Sequence, residues 1–470
     1  MQQDPLRENR TDVVIIGAGI SGLCTAHWLN KRGIKTLVLE QDAEVGGTMR
    51  SVRENGYLIE TGPNSALETT PLIKELVSDC GLEKEFVYAH PVGKNRYILR
   101  DGALHALPLS PPAFVASSLF SISGKLRILK EPFVGRAKDE ESIAQFVSRR
   151  VGREFLDYAI DPFVAGIFAG RPEALSVRSA FPKLYALEEK YGGLVKGMIK
   201  GRRERRARNE KAKDRAESFS FRSGMQTLPL ALARSLGDRV VVSAKVHSFQ
   251  KDESSTRYLV AYSAGGNERR IETSSVVLAI PAYAAAGYIR SFSPNVAGVL
   301  DSISYSPVVS IFLGFRREDV RRSLDGFGFL IPTKEHRNIL GCLWSSSLFP
   351  DRAPEGDVAF TAFVGGARQP TLTDLSENEL RDLVLSELKN IMQIGGKHVY
   401  FKPTRWSRAI PQYEIGYEHI LASLNRFETE HPGILLCSNY RGGISVGDCV
   451  RSGREAAERI ELLLRRLTTS

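Results

Sequence analysis

The sequence predicts a protein of mixed α/β and α+β class, and three observations lead to this prediction. Residues 12–40 have the strand–helix–strand pattern of a parallel βαβ unit, with a glycine-rich turn after the first strand. Residues 433–467 show the order strand, glycine-rich loop and helix at the other end of the chain. Between them lie a stretch of helical character, 111–199, and several runs typical of strands. This order is typical of a split Rossmann-like domain that is interrupted by a mixed-sheet domain and a helical domain.

The turn after the first strand has the glycine pattern of a dinucleotide site. Gly17 permits a tight turn, Gly19 leaves the backbone open to a phosphate, and Gly22 lets the helix pack closely on the strand. Free N–H groups at the start of the helix attract that phosphate. Glu40, about 20 residues further on, can accept hydrogen bonds from ribose hydroxyls and would repel the extra phosphate of NADP. We therefore expect FAD or NAD to contact Gly17, Ala18, Gly19, Ile20, Ser21, Gly22 and Glu40.

Local patterns predict the individual elements. Residues 71–82 have a helical pattern that ends at Gly81, and residues 377–392 have the pattern of an amphipathic helix. Residues 97–107 predict a hairpin with its turn at Asp101 and Gly102. The remaining strands are predicted at 240–242, 258–262, 275–281, 308–315, 358–364 and 433–437.

Composition and length indicate a large globular protein. The chain has 470 residues, of which 42% are hydrophobic and 25% charged, as in soluble proteins with roughly two or three domains. Its five cysteines show no disulfide or metal-ligand spacing, which favours a reducing compartment and predicts no metal site. The segment before Asp12 does not resemble a signal peptide, and no apolar run is long enough to span a bilayer. We expect a cytoplasmic protein that is soluble or peripheral on the inner face of the membrane.

The net charge of +10 is partly local, because residues 201–217 contain eight basic and four acidic side chains. This basic segment is either a solvated helix or insert, or a patch that contacts anionic lipid, where each basic residue contributes roughly 1 kcal/mol. No aromatic residues interleave with the charges and no recognition motif accompanies them. Nucleic acid is therefore not an expected partner.

The glycine-rich loop near the carboxyl terminus favours a flavin over a nicotinamide cofactor. A cofactor domain built from both ends of the chain suits flavoproteins better than simple dehydrogenases. The second helix N-terminus could lie against the pyrimidine edge of the flavin, where negative charge develops on reduction. A helix that only docks on the domain is the alternative. The expected contacts in this loop are Ser438, Ile444, Ser445 and Val446.

Further motifs resemble a known family. Gly46-Gly47-Thr48 with Arg50, and Gly62-Pro63-Asn64-Ser65, are similar to flavin-contacting loops of the flavoprotein family that includes amine oxidases, protoporphyrinogen oxidases and phytoene desaturases. Residues 223–229 resemble the second signature of its cofactor domain, and Val246 matches a position whose backbone meets adenine. The resemblance implies non-covalent FAD that is held by Gly46, Gly47, Thr48, Arg50, Gly62, Pro63, Asn64, Ser65 and Val246.

Within that family the order and spacing of further motifs resemble the oxygen-dependent protoporphyrinogen oxidases. These motifs lie at 95–97, 102–108, 163–170, 175–182, 326–332, 409–413 and 448–449. The resemblance implies that Arg96 pairs with a propionate of the substrate and that Phe327 and Leu330 sandwich the macrocycle. It also implies that the carbonyl group of Gly166 faces a pyrrole N–H. An apolar ring with two carboxylates needs apolar walls and a fixed cation, and Arg suits bidentate carboxylate recognition.

The implied reaction is the six-electron oxidation of protoporphyrinogen IX to protoporphyrin IX in haem biosynthesis, with molecular oxygen as acceptor. It needs no catalytic triad or general base, because the cofactor performs the chemistry. The alternatives are oxidation of coproporphyrinogen III to coproporphyrin III, a flavin amine oxidase, a carotenoid desaturase, and a flavin-binding sensor or scaffold. The expected partners are the porphyrinogen, oxygen, an anionic membrane surface, a downstream ferrochelatase-type protein and a second copy of the chain.

The resemblance also predicts a domain organisation. The FAD-binding domain is assigned to 1–88, 218–285 and 405–470, and a substrate-domain hairpin to 89–110. A helical domain that associates with a membrane is expected at 111–217. A substrate-binding domain is expected at 286–404.

Overall fold

The computed structural model describes residues 10–207, 216–252 and 257–469. The centre of the basic segment, residues 208–215, lies outside the described residues, so the expectation for 201–217 stays a prediction. The described residues form two large sheets, which we call the first sheet and the second sheet, with helices around both. They confirm the predicted mixed α/β and α+β class.

The first sheet has a parallel core. Arg10–Ile16 pairs with Thr36–Leu39 on one side and with Asn267–Leu278 on the other, both in parallel. Two further parallel strands, Val240–Val241 and Ile434–Leu436, extend this core. Val13, Val14 and Ile15 are fully buried, as expected for a parallel strand covered on both faces. Tyr258–Ala264 and Ala244–Lys251 add an antiparallel extension.

Helices cover both faces of the first sheet. They are Ile20–Lys31, Leu72–Asp79, Thr227–Leu236, Ala282–Ile289, Pro294–Asp301, Tyr417–Glu430 and Val446–Thr469. Ile289, Ala297 and Leu300 share one apolar core with Val14 and Val276 of this sheet. Residues 286–301 therefore pack with the first sheet, although the sequence assigns them to the substrate-binding domain.

The second sheet has seven strands. In spatial order they are His398–Pro411, Tyr305–Arg316, Asp357–Gly365, Gly341–Leu343, Gly328–Leu330, Tyr97–Arg100 and Ala103–Ala106. The strand His398–Pro411 crosses the expected boundary at 404/405, because its pairing with Tyr305–Arg316 continues to Tyr305 and Pro411. The helix Glu377–Met392 packs against this sheet.

The predicted hairpin and amphipathic helix are both confirmed. Tyr97–Arg100 pairs with Ala103–Ala106, and Asp101 and Gly102 in the turn both have positive φ, 53° and 75°. The helix Glu377–Met392 has the predicted bounds, and a capping box from Ser376 fixes its start. The carboxyl-terminal helix begins at Val446, because the Ser445 hydroxyl accepts the Asp448 N–H at 3.1 Å and caps the helix there.

The stretch 111–207 forms short helices. They are Pro111–Ala116, Ile122–Ile128, Ile143–Arg150, Arg153–Phe155, Asp161–Phe168, Val177–Ala180, Pro182–Tyr191 and Leu194–Ala207. Pro162 and Pro182 lie in the first turns of their helices, where a missing N–H costs nothing. Two small sheets complete the fold, Ser51–Glu54 with Tyr57–Glu60, and Ala66–Leu67 and Phe86–Tyr88 with Ser218–Phe221. Among the described residues, no helix combines the length and the apolar character that crossing a bilayer needs.

Candidate active site

The amino-terminal glycine turn has the three geometric features that the sequence predicts. Gly17 has φ of 102°, and a Cβ atom there would lie 2.7 Å from the carbonyl oxygen of Ala279. A Cβ atom on Gly22 would lie 2.1 Å from the carbonyl oxygen of Gly17, so the helix packs directly on the turn. A Cβ atom on Gly19 would meet nothing within 4 Å. The open side of Gly19 therefore marks where a phosphate can approach the backbone.

The start of the first helix and Glu40 both face this turn. Gly19 caps the helix Ile20–Lys31 without any side-chain hydrogen bond, so its first N–H groups remain available to an anion. The Glu40 carboxylate is 8% exposed and accepts the Ala18 N–H at 2.7 Å and the Asp42 N–H at 3.0 Å. These two bonds hold the carboxylate at the end of its strand, beside the turn.

The loops at 46–50 and 62–65 lie against the same turn. The Gly46 N–H donates to the Ala18 carbonyl at 2.9 Å, and a Cβ atom on Gly47 would lie 3.5 Å from Gly19 Cα. A Cβ atom on Gly62 would lie 1.9 Å from the carbonyl oxygen of Thr48, so the two loops stack with no room for a side chain. Pro63, Asn64 and Ser65 continue the second loop.

Arg50 offers a donor that the protein itself does not use. Its Nη2 donates to Asp42 Oδ2 at 2.5 Å, whereas its Nε is buried and has no hydrogen-bond partner in the described part of the chain. A buried guanidinium N–H next to a glycine turn fits a negatively charged group such as a phosphate. The glycine turn, the free helix start and this Nε together fit the phosphate portion of a dinucleotide.

Val246 lies on the strand Ala244–Lys251, whose first residue contacts Glu40. The Ala244 N–H donates to the Glu40 carbonyl at 2.7 Å, and the Val246 carbonyl accepts the Tyr288 hydroxyl at 2.9 Å. The pairing register shifts directly after Val246, which interrupts the ladder at this point. Val246 is thus two residues from the contact with Glu40, and its contact with adenine stays a prediction.

The carboxyl-terminal loop reaches the site from the opposite end of the chain. A Cβ atom on Gly453 would lie 2.8 Å from the Ser21 carbonyl oxygen, so the last helix packs against the first. A Cβ atom on Gly447 would lie 2.5 Å from Thr69 Oγ1, close to the loop that contains Ser65. Ser438, Ile444, Ser445 and Val446 therefore lie in the same region as the amino-terminal cofactor residues. Their contact with the cofactor stays a prediction.

Tyr413 and Tyr417 shape this loop, a role that sequence reasoning missed. The Tyr413 hydroxyl donates to the Asn439 carbonyl at 2.7 Å and accepts the Gly443 N–H at 3.2 Å. The Tyr417 hydroxyl donates to the Tyr440 carbonyl at 2.7 Å, and the rings of Tyr413 and Tyr417 stack with centroids 4.4 Å apart. The motif at 409–413 contains Tyr413, but only the fold shows what its hydroxyl holds.

Two contacts join the loop at 62–65 to the second sheet. The Trp406 Nε1–H donates to the Thr61 carbonyl at 2.7 Å, and the Thr361 hydroxyl donates to Asn64 Oδ1 at 3.2 Å. Both partners were absent from the predicted site. Their positions in strands carry no sequence signal for this role, since neither residue belongs to a glycine motif.

The predicted substrate residues lie at the second sheet and on the helix Asp161–Phe168 that faces it. The guanidinium of Arg96 lies 5.0 Å from the ring centroid of Phe327, and the Phe327 N–H donates to the Asn95 carbonyl at 2.8 Å. Arg96 is half-buried, and its side chain has no hydrogen bond or ion pair within the described ranges 10–207, 216–252 and 257–469. Burial lowers the pKa of its guanidinium, because the charged form loses hydration. A desolvated, unpaired cation favours an anionic ligand.

Gly166 and Leu330 are adjacent to this pair. Leu330 pairs with Ile98 in parallel register, which places it next to the strand that follows Arg96. A Cβ atom on Gly166 would lie 2.8 Å from Leu330 Cδ2, so the helix Asp161–Phe168 faces this strand closely. The four predicted substrate residues therefore lie in one region as two contacting pairs, Arg96 with Phe327 and Gly166 with Leu330, and we call this region the slot. Whether Phe327 and Leu330 flank a ligand on opposite faces stays a prediction.

A comparison with known proteins places this geometry in a family. The model of the family described as flavin containing amine oxidoreductase matches residues 20–461. The chain is 34% identical to protoporphyrinogen oxidase 2, chloroplastic/mitochondrial, of Arabidopsis thaliana, over 95% of this chain and 93% of that protein. It is 31% identical to coproporphyrinogen III oxidase of Bacillus subtilis (strain 168), over 96% of this chain and 98% of that protein.

Solved structures show the same fold. A protein from Exiguobacterium sp. 255-15 is similar with a TM-score of 0.79 at 22% identity, over 96% of this chain and 99% of that chain. Cyclohexylamine oxidase from Brevibacterium oxydans IH-35A is similar with a TM-score of 0.68 at 18% identity, over 97% of this chain and 100% of that chain.

The chain belongs to the family of flavin containing amine oxidoreductases, and its cofactor is a flavin. Within that family it belongs to the group of porphyrinogen oxidases, as its full-length relatives show. The resemblance inferred from the motifs is thereby confirmed.

Proposed function

We propose that this protein oxidises protoporphyrinogen IX to protoporphyrin IX with non-covalently bound FAD and molecular oxygen. The observation that carries the proposal is the half-buried guanidinium of Arg96, unpaired within the described ranges, at an otherwise apolar slot. A porphyrinogen has an apolar ring and carboxylates at its edge, so it offers the anion that Arg96 lacks. Its ring fits against Phe327 and Leu330.

Each residue of the slot has a defined task in this proposal. Arg96 holds a propionate and fixes the edge of the ring by charge-assisted hydrogen bonds. Phe327 and Leu330 contact the macrocycle and keep water from it. Gly166, which is exposed on the helix Asp161–Phe168, accepts a pyrrole N–H with its backbone carbonyl. When bound, FAD supplies the position that accepts each hydride, and oxygen takes the electrons from it.

Coproporphyrinogen III is the second candidate substrate. Relatives that are coproporphyrinogen III oxidases, such as the protein of Bacillus subtilis, cover nearly the whole chain. That substrate has four carboxylates, whereas Arg96, which has no ion-pair partner among the described residues, binds a single carboxylate. The two-carboxylate protoporphyrinogen therefore remains our first candidate. An amine is disfavoured, because its positive charge would be repelled by Arg96.

We also propose that the helical domain contacts an anionic membrane. Large apolar side chains are exposed along its outer helices: Leu109, Val115, Ile122, Leu126, Leu129, Phe133, Met198 and Ile199. Phe133 is 90% exposed, and Lys125 and Lys130 lie among these residues. Apolar and basic groups on one surface are typical of proteins that bind a membrane interface. A ferrochelatase-type partner and a homodimer remain predictions.

One anaerobic experiment tests the proposed function. Purified protein is reconstituted with FAD, and bleaching of the flavin absorbance is followed after addition of protoporphyrinogen, coproporphyrinogen or a panel of amines. We expect rapid bleaching by protoporphyrinogen, slower bleaching by coproporphyrinogen and none by amines. Faster bleaching by coproporphyrinogen would reverse the substrate assignment, and bleaching by an amine alone would refute the proposal. Protein that releases no FAD on denaturation would refute the non-covalent cofactor.

A further inference from the structure

Arg368 links the two elements that carry the walls of the slot. Its Nη1 donates to the carbonyl of Ile331 at 2.7 Å, and its Nη2 donates to the carbonyl of Asp161 at 2.9 Å. Ile331 directly follows Leu330, and Asp161 begins the helix that contains Gly166. A single guanidinium therefore joins the strand that carries Leu330 to the helix that carries Gly166.

The carboxylate of Asp161 strengthens this link. It accepts the backbone N–H of Thr333 at 2.7 Å and the Thr333 hydroxyl at 2.9 Å, and it pairs with Arg368 Nη2 at 2.9 Å. The side chains of Arg368 and Asp161 are only 9% and 10% exposed. Charge-assisted bonds in such a setting are short and directional, and losing one partner leaves a buried group unsatisfied.

The far end of the same helix is also fixed to this side of the protein. The Ala367 N–H, next to Arg368, donates to the Ala169 carbonyl at 2.7 Å. The side-chain amide of Gln412 donates to the Phe168 carbonyl at 2.8 Å. Both ends of the helix are thus tied to the second sheet, so the helix cannot shift along or away from Leu330 without breaking several of these bonds.

These bonds keep Gly166 and Leu330 in close contact. A single methyl group on Gly166 would already approach Leu330 Cδ2 to 2.8 Å. Residues that hold the helix against the strand therefore fix how closely Gly166 and Leu330 approach each other.

We propose that Arg368, Asp161 and Thr333 form a clamp that sets the separation of Gly166 and Leu330 and thereby the affinity for the macrocycle. They are positioning residues, since they act through the walls of the slot. This inference rests on the proposed function, because the macrocycle is the ligand whose affinity it concerns. It predicts that weakening the clamp raises KM and the dissociation constant of the porphyrin product, while kcat and FAD content change little.

Thr333 offers the mildest test. Thr333→Val removes the hydroxyl donor to Asp161 but keeps the backbone N–H, and Thr333→Ser, its matched control, keeps the hydroxyl. Loss of one such bond weakens binding about fivefold. KM is measured with the proposed substrate under oxygen, and product affinity is measured by quenching of porphyrin fluorescence. We expect both to weaken about fivefold in Thr333→Val and to stay within twofold of the wild type in Thr333→Ser.

Arg368→Lys is the stronger perturbation. A lysine keeps the charge but cannot reach both carbonyl groups at once, so we expect product affinity to fall about tenfold. Its control is Arg150→Lys, since Arg150 is a fully buried arginine that pairs with Glu131 and Glu188 in the helical domain. Melting temperatures of both variants show how far each one destabilises the protein.

The outcomes separate the two proposals. The clamp is refuted if Thr333→Val and Arg368→Lys lower the melting temperature as Arg150→Lys does, yet leave product affinity and KM within twofold of the wild type. If Arg368→Lys does not fold, the two Thr333 variants decide. If the wild-type protein is active and the clamp variants keep its KM and product affinity, the clamp is refuted and the proposed function stands. Wild-type protein that neither oxidises a porphyrinogen nor binds a porphyrin refutes the proposed function, and the clamp with it.

Discussion

Replacing Arg96 by methionine should move binding and stability in opposite directions. Methionine has a length similar to that of arginine and keeps the contact with Phe327, but it removes the charge. A charge-assisted hydrogen bond contributes about 1.5–3 kcal/mol, and one tenfold change corresponds to about 1.4 kcal/mol. The structure thus predicts that KM for protoporphyrinogen rises by about 10- to 150-fold.

The expected stability of Arg96→Met follows from the lack of a hydrogen-bond or ion-pair partner for Arg96 among the described residues. Arg96 is half-buried and has no hydrogen bond or ion pair within the described part of the chain, and burial lowers the pKa of its guanidinium. Removing an uncompensated cation should leave the free energy of unfolding unchanged or raise it. The contact with Phe327 limits this gain, because a cation over an aromatic ring is stabilised by about 0.5–2 kcal/mol.

The assay combines three measurements on one preparation. Steady-state porphyrin fluorescence gives KM and kcat, absorbance after denaturation gives the FAD content, and a thermal melt gives stability. The reasoning is refuted if KM stays within twofold of the wild type at full FAD content. A melting temperature lower by several degrees would show that Arg96 has a structural task instead. Arg96→Lys, which keeps the charge without the bidentate geometry, should give an intermediate KM.

Three further predictions concern the slot, the cofactor and the membrane surface. Gly166→Ala should lower kcat/KM by at least tenfold, because the new methyl group would approach the side chain of Leu330. Adding Leu330→Ala should restore part of kcat/KM, and wild-type activity of Gly166→Ala alone would contradict this prediction. Gly22→Ala should yield protein with little bound FAD or poor folding, since its Cβ atom would lie 2.1 Å from a backbone carbonyl of the turn; a full FAD content in absorbance spectra would contradict it. Phe133→Asp should reduce sedimentation with anionic vesicles several-fold, whereas Leu462→Asp, at another exposed apolar residue, should not; equal losses would remove the helical domain from the membrane interface.

Local signals explain which elements the sequence predicts well. The hairpin at Tyr97–Arg100 depends on an Asp-Gly pair, whose positive φ values fit the tight turn. The helix Glu377–Met392 depends on its apolar periodicity and on the capping box from Ser376. In each case the residues that decide the structure are neighbours in sequence. The split cofactor domain follows the same rule, because each half has its own glycine motif.

Contacts between distant residues explain what the sequence does not predict. Thr333 and Arg368 bind Asp161 from 172 and 207 positions away, and no motif near any of the three indicates the others. The packing of residues 286–301 on the first sheet is a second example of a contact between distant residues. Their apolar pattern does not indicate which of the two neighbouring domains they pack against. The choice depends on which surface the folded chain brings against them.

The sequence by itself determined the glycine turn, because the positive φ of Gly17 and the close packing of Gly22 on Gly17 involve residues of the turn itself. The tertiary structure alone decided the state of the arginines that follow. Arg96 and Arg100 lie close together at one strand, but Arg100 donates to Glu154 at 2.8 Å whereas Arg96 stacks on Phe327 without an acidic partner within the described residues. A charge is paired or free according to what the fold places beside it. That difference makes Arg96, rather than Arg100, our candidate for binding an anionic ligand.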